Sequence, residues 1–203
     1  MRRNYANFAE IMAYYLTIDQ GNTCVKVDIW DGNSDEIVAS KTFGTLHSSD
    51  LKEFCSDYQP AAAIYCTVSG RDLPVIEALN TLTPHAVEMT VDTPMPVRIA
   101  YATPHTLGLD RVAAAIGAYS LCGDGHDILV IDIGTAITYD IVSADGIYRG
   151  GNIAPGLDMR LRALNHFTAR LPLVTIDDAT DVPLWGTDTA SALRAGALEG
   201  VVG

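Results

Sequence analysis

Two stretches of this chain carry nearly the same sequence: LTIDQGNTCVKVDIW at residues 16–30 and LVIDIGTAITYDIVS at residues 129–143. Each has an apolar run, then Asp-x-Gly, then a run that alternates between apolar and polar residues. This pattern is typical of two antiparallel strands joined by a tight turn, so each stretch predicts a β-hairpin. A hairpin that occurs twice indicates a chain built from two related lobes.

The turns of the two hairpins carry groups that suit phosphate and cation binding. Gly21 and Gly134 permit positive φ, so that backbone N–H groups can point outward into a concavity. Each turn also has one hydroxyl and one carboxylate, which are Thr23, Thr135, Asp19 and Asp132. The duplicated turn predicts a two-lobed phosphate-transfer protein that binds a nucleotide between its lobes. A purely structural role is the alternative, because Asp and Gly are ordinary turn residues.

Composition narrows the class of protein. The chain has 203 residues, of which 48% are hydrophobic and 19% are charged, as expected of a globular protein with a substantial core. The net charge of −12 argues against nucleic-acid binding, which depends on Lys and Arg. No apolar stretch approaches the ~20 residues that span a bilayer, and the first eleven residues are too polar for a signal peptide. Four cysteines without a C-x-x-C pair are typical of reduced thiols, so we expect a cytoplasmic protein.

The remaining pattern divides the chain into two lobes. Around the first hairpin it predicts strands at 36–43, 61–69 and 86–91 and helices at 49–58 and 71–82. Residues 93–106 contain three prolines and are expected to form a loop, and a helix should run from Leu109 to near Gly123. A second β-β-β series begins at Ile128, followed by helices at 157–164 and from near Thr189.

This order predicts an α/β fold of two duplicated lobes, each with a mixed β-sheet flanked by helices. Residues 14–123 form the N-terminal lobe with its linking helix, and residues 124–203 form the C-terminal lobe. Residues 1–13 are expected to be an extension, or an artefact of an upstream start, because Met12 lies just before the first strand.

A candidate catalytic group lies at the start of the linking helix, in the sequence GLDR at residues 108–111. Asp110 falls in the first helical turn, where the helix dipole keeps a carboxylate ionised and ready to accept a hydroxyl proton. Arg111 could contact a substrate carboxylate with two hydrogen bonds. An ordinary helix-terminal Asp and a salt-bridged Arg remain the structural alternatives.

Two further motifs lie in the second lobe. GGNIAPG, at residues 150–156, predicts a glycine-rich turn before a helix, suited to close approach by a ligand or another chain. GTDT, at residues 186–189, precedes the last helix, so Asp188 or Thr189 could act simply as the helix cap.

Taken together and in this order, these motifs resemble the type III pantothenate kinases. The matching segments are DQGNTCVK at 19–26, Tyr101 with GLDR, DIGTAIT at 132–138, GGNIAPG and GTDT. The resemblance implies an actin-like fold related to ribonuclease H, in the superfamily of acetate and sugar kinases and heat-shock chaperones. It implies ATP-dependent phosphorylation of pantothenate to 4′-phosphopantothenate, the first step of coenzyme A biosynthesis. It also implies a homodimer that requires Mg²⁺ with ATP and a monovalent cation, K⁺ or NH₄⁺.

The resemblance assigns roles to particular residues. ATP phosphates would contact Asp19, Gln20, Gly21, Asn22, Thr23, Cys24, Val25, Lys26 and Thr135. Pantothenate would contact Tyr101, Gly108, Leu109, Asp110, Arg111 and Thr189, with Asp110 as the catalytic proton acceptor. Asp132 would be the potassium ligand.

The C-terminal lobe is expected to be truncated, since the family continues into another strand, a T-G-G turn and further helix. The alternative function is a non-catalytic regulatory or accessory relative of the same fold. A longer sugar or acetate kinase fits less well.

Overall fold

The structure is a computed structural model that describes residues 13–176 and 182–202. The described strands are β1 (Tyr14–Gln20), β2 (Val25–Asp31), β3 (Glu36–Phe43), β4 (Pro60–Thr67), β5 (Ala86–Glu88), β6 (Arg98–Ile99), β7 (Ile128–Ile133), β8 (Ala136–Ser143) and β9 (Ile147–Pro155). The described helices are α1 (Ser48–Phe54), α2 (Leu73–Leu82), α3 (Leu109–Cys122), α4 (Leu157–Phe167) and α5 (Thr189–Val202). The predicted extension at 1–13 lies outside the described residues, apart from Ala13.

The chain forms two compact units. The first comprises the described residues through Met95 together with Thr103–Ala113, and the second comprises Pro96–Ala102 with the described residues from Ala114 onward. Helix α3 therefore begins in the first unit and ends in the second. The lobe boundary that we placed between residues 123 and 124 stays a prediction.

The first unit contains a five-stranded mixed sheet in the order β3-β2-β1-β4-β5. The predicted first hairpin is confirmed: β1 and β2 are antiparallel, with Gln20 opposite Val25. Strand β4 lies parallel to β1 on its other side. Alternation along the strands buries one face, where residues such as Leu16, Val27 and Ile29 are at most 1% exposed. Helices α1 and α2 cover this face through Leu51, Val75, Ala78 and Leu79.

The second unit contains a four-stranded mixed sheet in the order β6-β9-β8-β7. The predicted second hairpin is also confirmed, with Ile133 of β7 opposite Ile137 of β8. Helices α4 and α5 pack together through Leu161, Leu193 and Ala197. The prediction of an α/β fold with two mixed-sheet, helix-flanked lobes is thus confirmed.

Several boundaries differ from the predicted ones. Helix α1 begins at Ser48 and ends at Phe54, and α2 begins only at Leu73, after Asp72 accepts the Val75 N–H at 3.2 Å as its cap. The predicted loop at 93–106 contains β6, which pairs with β9, and a 3-10 turn at Pro104–Thr106. These features depend on pairing with distant residues, which local sequence pattern does not report. No helix among the described residues is long and apolar enough to cross a membrane.

Candidate functional site

The first hairpin turn is closed by its own backbone. The Gly21 N–H donates to the Cys24 carbonyl at 3.0 Å, and four residues, Gly21–Cys24, connect the paired strand ends. Neither Gly21 nor Gly134 uses the positive φ that glycine permits, since neither is among the glycines with positive φ. A turn that closes on its own glycine N–H does not need left-handed backbone at that glycine. The Gly21 N–H is therefore occupied within the turn.

Gln20 ties this turn to the segment that follows β4. Its Nε2 donates to Ser69 Oγ at 3.1 Å, and its Oε1 accepts the Tyr65 hydroxyl at 2.6 Å. The same Tyr65 oxygen accepts the Asp72 N–H at 3.3 Å. Gln20, predicted to contact ATP, thus holds the β4–α2 loop against the turn. No local motif links Tyr65, Ser69 and Asp72 to the hairpin, so the sequence alone did not point to them.

A cavity of about 150 Å³ lies at the first turn. Its walls are formed by the turn, the start of β2, the β3–α1 loop and the segment after β4. The lining residues are Gln20, Gly21, Asn22, Thr23, Cys24, Val25, Gly44, Thr45, Leu46, Ser69 and Asp72. Thr23 and Asn22 are exposed. The cavity has room for a group the size of a phosphate, and it is lined by six of the eight residues from Asp19 to Lys26.

The sheet face opposite the helices of the first unit carries charged groups. Asp19 lies opposite Lys26 on β2 and beside Cys66 on β4, so the three residues share one face. Asp110, at the start of α3, is close enough to act on the same thiol. Burial, then the charges of Asp19 and Asp110, raise the pKa of Cys66 to about 12. The predicted proton acceptor is therefore within electrostatic range of the thiol that lies beside Asp19.

Gly108 leaves the space that the Asp110 carboxylate occupies. A Cβ at Gly108 would overlap Asp110 Oδ1, which also accepts the Arg111 N–H at 2.8 Å. Asp110 is half-buried in the first turn of α3. The guanidinium-bearing Arg111 is only 6% exposed. The predicted residues 108–111 thus form one packed unit in which the carboxylate orientation depends on the glycine.

A larger cavity, of about 470 Å³, opens beside this segment. It lies between the ends of β4 and β5 and the start of α3, and it is lined in part by Val68, Met89, Leu107, Gly108 and Leu109. At its wall the Arg71 guanidinium donates two hydrogen bonds of 2.6 Å to the Glu88 carboxylate. The cavity has the mixed apolar and polar lining of a small-molecule site.

The second hairpin turn is shorter and is packed against α4. Three residues, Gly134–Ala136, connect the paired strand ends, and the Gly134 N–H donates to the Ala136 carbonyl at 2.9 Å. The Gly156 N–H donates to the Thr135 carbonyl at 3.1 Å, and a Cβ at Gly156 would overlap the Gly134 and Thr135 carbonyl oxygens. Helix α4 begins directly after Gly156. The close approach that we expected at GGNIAPG is therefore made to the turn of the same unit.

Asp132 is exposed near the end of β7, opposite Thr138. Within residues 13–176 and 182–202, no group of three or more His, Cys, Asp and Glu side chains could hold a metal ion. A cation at Asp132 would therefore need backbone oxygens, substrate oxygens or water as its other ligands.

The remaining predicted residues lie in the second unit. Tyr101 packs beside β9, next to Gly150 and the Tyr148 ring. Thr189 is the exposed first residue of α5. The cap of α5 is Asp188, whose Oδ1 accepts the N–H groups of Ala190 and Ser191 at 2.9 and 3.0 Å. These bonds lower the pKa of Asp188, and they mean that the Thr189 hydroxyl is not required as the cap.

Comparison with known proteins gives the family. The family description "Type III pantothenate kinase" matches residues 15–203. A type III pantothenate kinase of Phocaeicola vulgatus is 43% identical over 188 residues, which cover 92% of this chain and 75% of that protein. One from Bacteroides fragilis is 44% identical over 186 residues, covering 92% of this chain and 74% of that protein.

Among solved structures, the chain is similar to a Ppx/GppA phosphatase of Aquifex aeolicus, with a TM-score of 0.46 and 15% identity, over 80% of this chain and 58% of that one. The sequence matches extend across both units and include both hairpins, GLDR, GGNIAPG and GTDT. This chain therefore belongs to the type III pantothenate kinase family.

Proposed function

We propose that this chain transfers the γ-phosphoryl group of ATP to the 4′-hydroxyl of pantothenate, giving 4′-phosphopantothenate and ADP, the first step of coenzyme A biosynthesis. Membership of the type III pantothenate kinase family supports the reaction and both substrates. The structural observation that supports the proposal is that Asp19, at the end of β1, lies beside Cys66 on β4, in the same unit as Asp110 at the start of α3. The proposed proton acceptor and the proposed phosphate-binding turn therefore belong to the same unit.

The ATP phosphates are proposed to bind at the first turn. The cavity of about 150 Å³ there is polar, and Lys26 lies on the same sheet face as Asp19. Lys26 supplies positive charge to a molecule whose net charge is −12. Thr135 is proposed to add a hydroxyl donor from the second hairpin.

Asp110 is proposed to be the general base. As the 4′-oxygen of pantothenate forms its bond to the γ-phosphorus, the proton of that hydroxyl passes to Asp110. The bond between the γ-phosphorus and the β,γ-bridging oxygen breaks, and ADP leaves with that electron pair. Tyr101, Gly108, Leu109, Arg111 and Thr189 are proposed to orient pantothenate. A buried guanidinium such as Arg111 suits the recognition of a carboxylate.

Two cations are proposed to act with these residues. Family membership implies a divalent metal with ATP, and the carboxylate oxygen of Asp19 is a ligand type that Mg²⁺ accepts. When bound, Mg²⁺ neutralises charge on the phosphate oxygens. K⁺ or NH₄⁺ is proposed to bind at Asp132, whose exposed carboxylate would otherwise repel ATP.

We further propose that the chain works in the cytoplasm as a homodimer through its second unit. Trp185 and Leu184 are 81% and 63% exposed beside a cavity of about 370 Å³ against α5. Among the described residues, apart from its own helix backbone and chain neighbours, no atom lies within 4 Å of the position where a Cβ on Gly196 of α5 would stand, so another chain could approach closely there. A C2 pairing would bury the same patch from each copy. Light scattering over a dilution series tests this, and a monomer at tens of micromolar that still binds pantothenate would contradict it.

The alternative is a non-catalytic accessory relative of the same fold. A protein that only binds has no use for a positioned base, whereas Gly108, Asp110 and Arg111 are all present and packed together. This arrangement favours the enzyme.

Coupled measurement of ADP release tests the proposal. The purified chain is assayed with ATP and Mg²⁺, with and without pantothenate, and with K⁺ replaced by NH₄⁺ or Na⁺. We expect release that depends on pantothenate, is supported by K⁺ or NH₄⁺ and is much slower in Na⁺. Release without pantothenate dependence would contradict the substrate, and equal rates in K⁺ and Na⁺ would contradict the role of Asp132.

A further inference from the structure

Tyr101 is carried by a short strand on the edge of the second sheet. Strand β6 lies parallel to β9, and hydrogen bonds of 2.9 Å join the Arg98 N–H to the Gly146 carbonyl and the Ala100 N–H to the Tyr148 carbonyl. These bonds fix the backbone up to the residue before Tyr101. The direction of the Tyr101 ring then depends on the side chains and backbone of β9.

Gly150 provides the surface against which this ring rests. Its φ of +89° is in the left-handed region, and a Cβ there would lie only 2.9 Å from Tyr101 Cε2. The β8–β9 register shifts at this place, because Ile141 is opposite Gly150 and Val142 is opposite Tyr148. Arg149 is the extra residue of this β-bulge, a feature that often redirects a side chain. A glycine is thus required both by the backbone conformation and by the ring that covers it.

Tyr148 supports the same ring from the protein interior. Its side chain is fully buried, and its ring centroid is 6.3 Å from that of Tyr101 at an angle of 50°. The Tyr148 hydroxyl donates to Asp140 Oδ1 at 2.7 Å, and Asp140 is 1% exposed. A buried hydrogen bond to a carboxylate is strong and directional, so it fixes the Tyr148 ring in one orientation.

We propose that Gly150 and Tyr148, with Tyr148 held by Asp140, are positioning residues that set the orientation of Tyr101 for pantothenate. This inference rests on the proposed function, since that function places Tyr101 against the substrate. It assigns a role to the first glycine of GGNIAPG, which sequence analysis treated as part of a turn. The three residues act on the substrate only through the Tyr101 ring.

The test compares two glycines of the same type. Gly150→Ala and Gly123→Ala both place a Cβ at positive φ, but only the Cβ at Gly150 would meet a tyrosine ring; at Gly123, which follows α3, no contact within 4 Å is found among the described residues outside its own chain neighbours. Both substitutions should therefore lower the melting temperature. We expect only Gly150→Ala to raise the KM for pantothenate, by about tenfold or more, since small displacements of a positioning group have large effects. The KM for ATP should change by less than about twofold.

Tyr148→Phe keeps the buried ring and removes its hydrogen bond to Asp140. We expect a rise in the KM for pantothenate of about two- to tenfold, without the backbone strain of Gly150→Ala. Equal KM values for pantothenate in Gly150→Ala, Gly123→Ala and the unaltered protein would overturn the inference.

A measurement without substrate separates this inference from the proposed function. With 3-fluorotyrosine incorporated, Tyr101→Phe identifies the ¹⁹F resonance of Tyr101. We expect Gly150→Ala and Tyr148→Phe to shift or broaden that resonance and Gly123→Ala to leave it in place. An unchanged Tyr101 resonance in Gly150→Ala refutes the positioning, whatever the activity. A shifted resonance in a protein with no pantothenate-dependent turnover supports the positioning and refutes the proposed function alone.

Discussion

Replacing Gly108 by Ala should separate activity from stability. The new methyl group would occupy the position of Asp110 Oδ1, while the next nearest atoms, Asp110 Cγ and Arg111 Cδ, are 3.6 and 3.8 Å away. The carboxylate is the end of a side chain that can rotate, so it should yield without movement of the backbone. The substitution is therefore a perturbation of the base orientation.

The two expected effects differ in size. Overpacking in a core costs about 1–3 kcal/mol, and here a rotatable group relieves most of it. Ala also reduces the entropy of the unfolded chain, by about 0.4–1 kcal/mol. These terms nearly cancel, so the melting temperature should change by no more than about 4 °C. A carboxylate displaced by about 1 Å should lower kcat about 10²-fold.

Gly117→Ala is the matched control on the same helix. Gly117 lies inside α3, and beyond the helix's own backbone and its chain neighbours no atom of the part of the chain that the structure describes lies within 4 Å of the position where its Cβ would stand. This change should stabilise the protein by about 0.5–1 kcal/mol and leave kcat unaltered. The assay is coupled ADP release at saturating pantothenate, together with a thermal melt. If Gly108→Ala kept kcat within twofold of the unaltered protein, Asp110 would not depend on the glycine for its catalytic orientation.

Three further outcomes are expected. Asp110→Asn should lower kcat by about 10²–10⁴-fold with an unchanged melting temperature, because the amide has the shape of the carboxylate but cannot act as the base. Near-normal turnover would exclude Asp110 as the base. Burial raises the pKa of Cys55 to about 11 and that of Cys66 to about 12, so these thiols ionise at lower pH in the unfolded chain than in the folded one. The free energy of unfolding should therefore fall as the pH rises through 9 to 12. A Cys55→Ala, Cys66→Ala double variant whose stability falls equally over this range would contradict the role of the two thiols. Gly156→Ala, which collides with the Thr135 carbonyl, should lower the free energy of unfolding by about 1–3 kcal/mol in a denaturant titration, and an unchanged midpoint would show that this junction can relax.

Sequence pattern predicted the elements whose signals are local. Strand β3 was predicted at 36–43 and found there, since turn residues stand before it and alternation marks its length. Helix α3 begins at Leu109 as predicted, immediately after a glycine. Both hairpins were visible because each is a continuous stretch of chain with its own turn.

The features that could not be predicted depend on distant contacts. Gly150 to Pro155 looked like a glycine-rich turn, but they continue β9 because β8 pairs with them along its length. Strand β6 has only two residues and exists because β9 is beside it. The grouping of Asp19, Cys66 and Asp110 depends on the parallel pairing of β1 with β4 and on the start of α3. The residue types of the site could be identified from the sequence, whereas the distant residues that each of them contacts could not.

The unequal lengths of the two hairpin turns affect more than the turns themselves. Side chains alternate along a strand, so a single residue inserted in or deleted from the turn moves every later residue to the opposite face. The four-residue turn places Lys26 opposite Asp19, and the three-residue turn places Thr138 opposite Asp132. One repeat therefore has a cationic partner for its carboxylate and the other a neutral hydroxyl. Related copies of a sequence can thus acquire different electrostatic character through a one-residue shift in strand pairing, with no change of the aspartate they share.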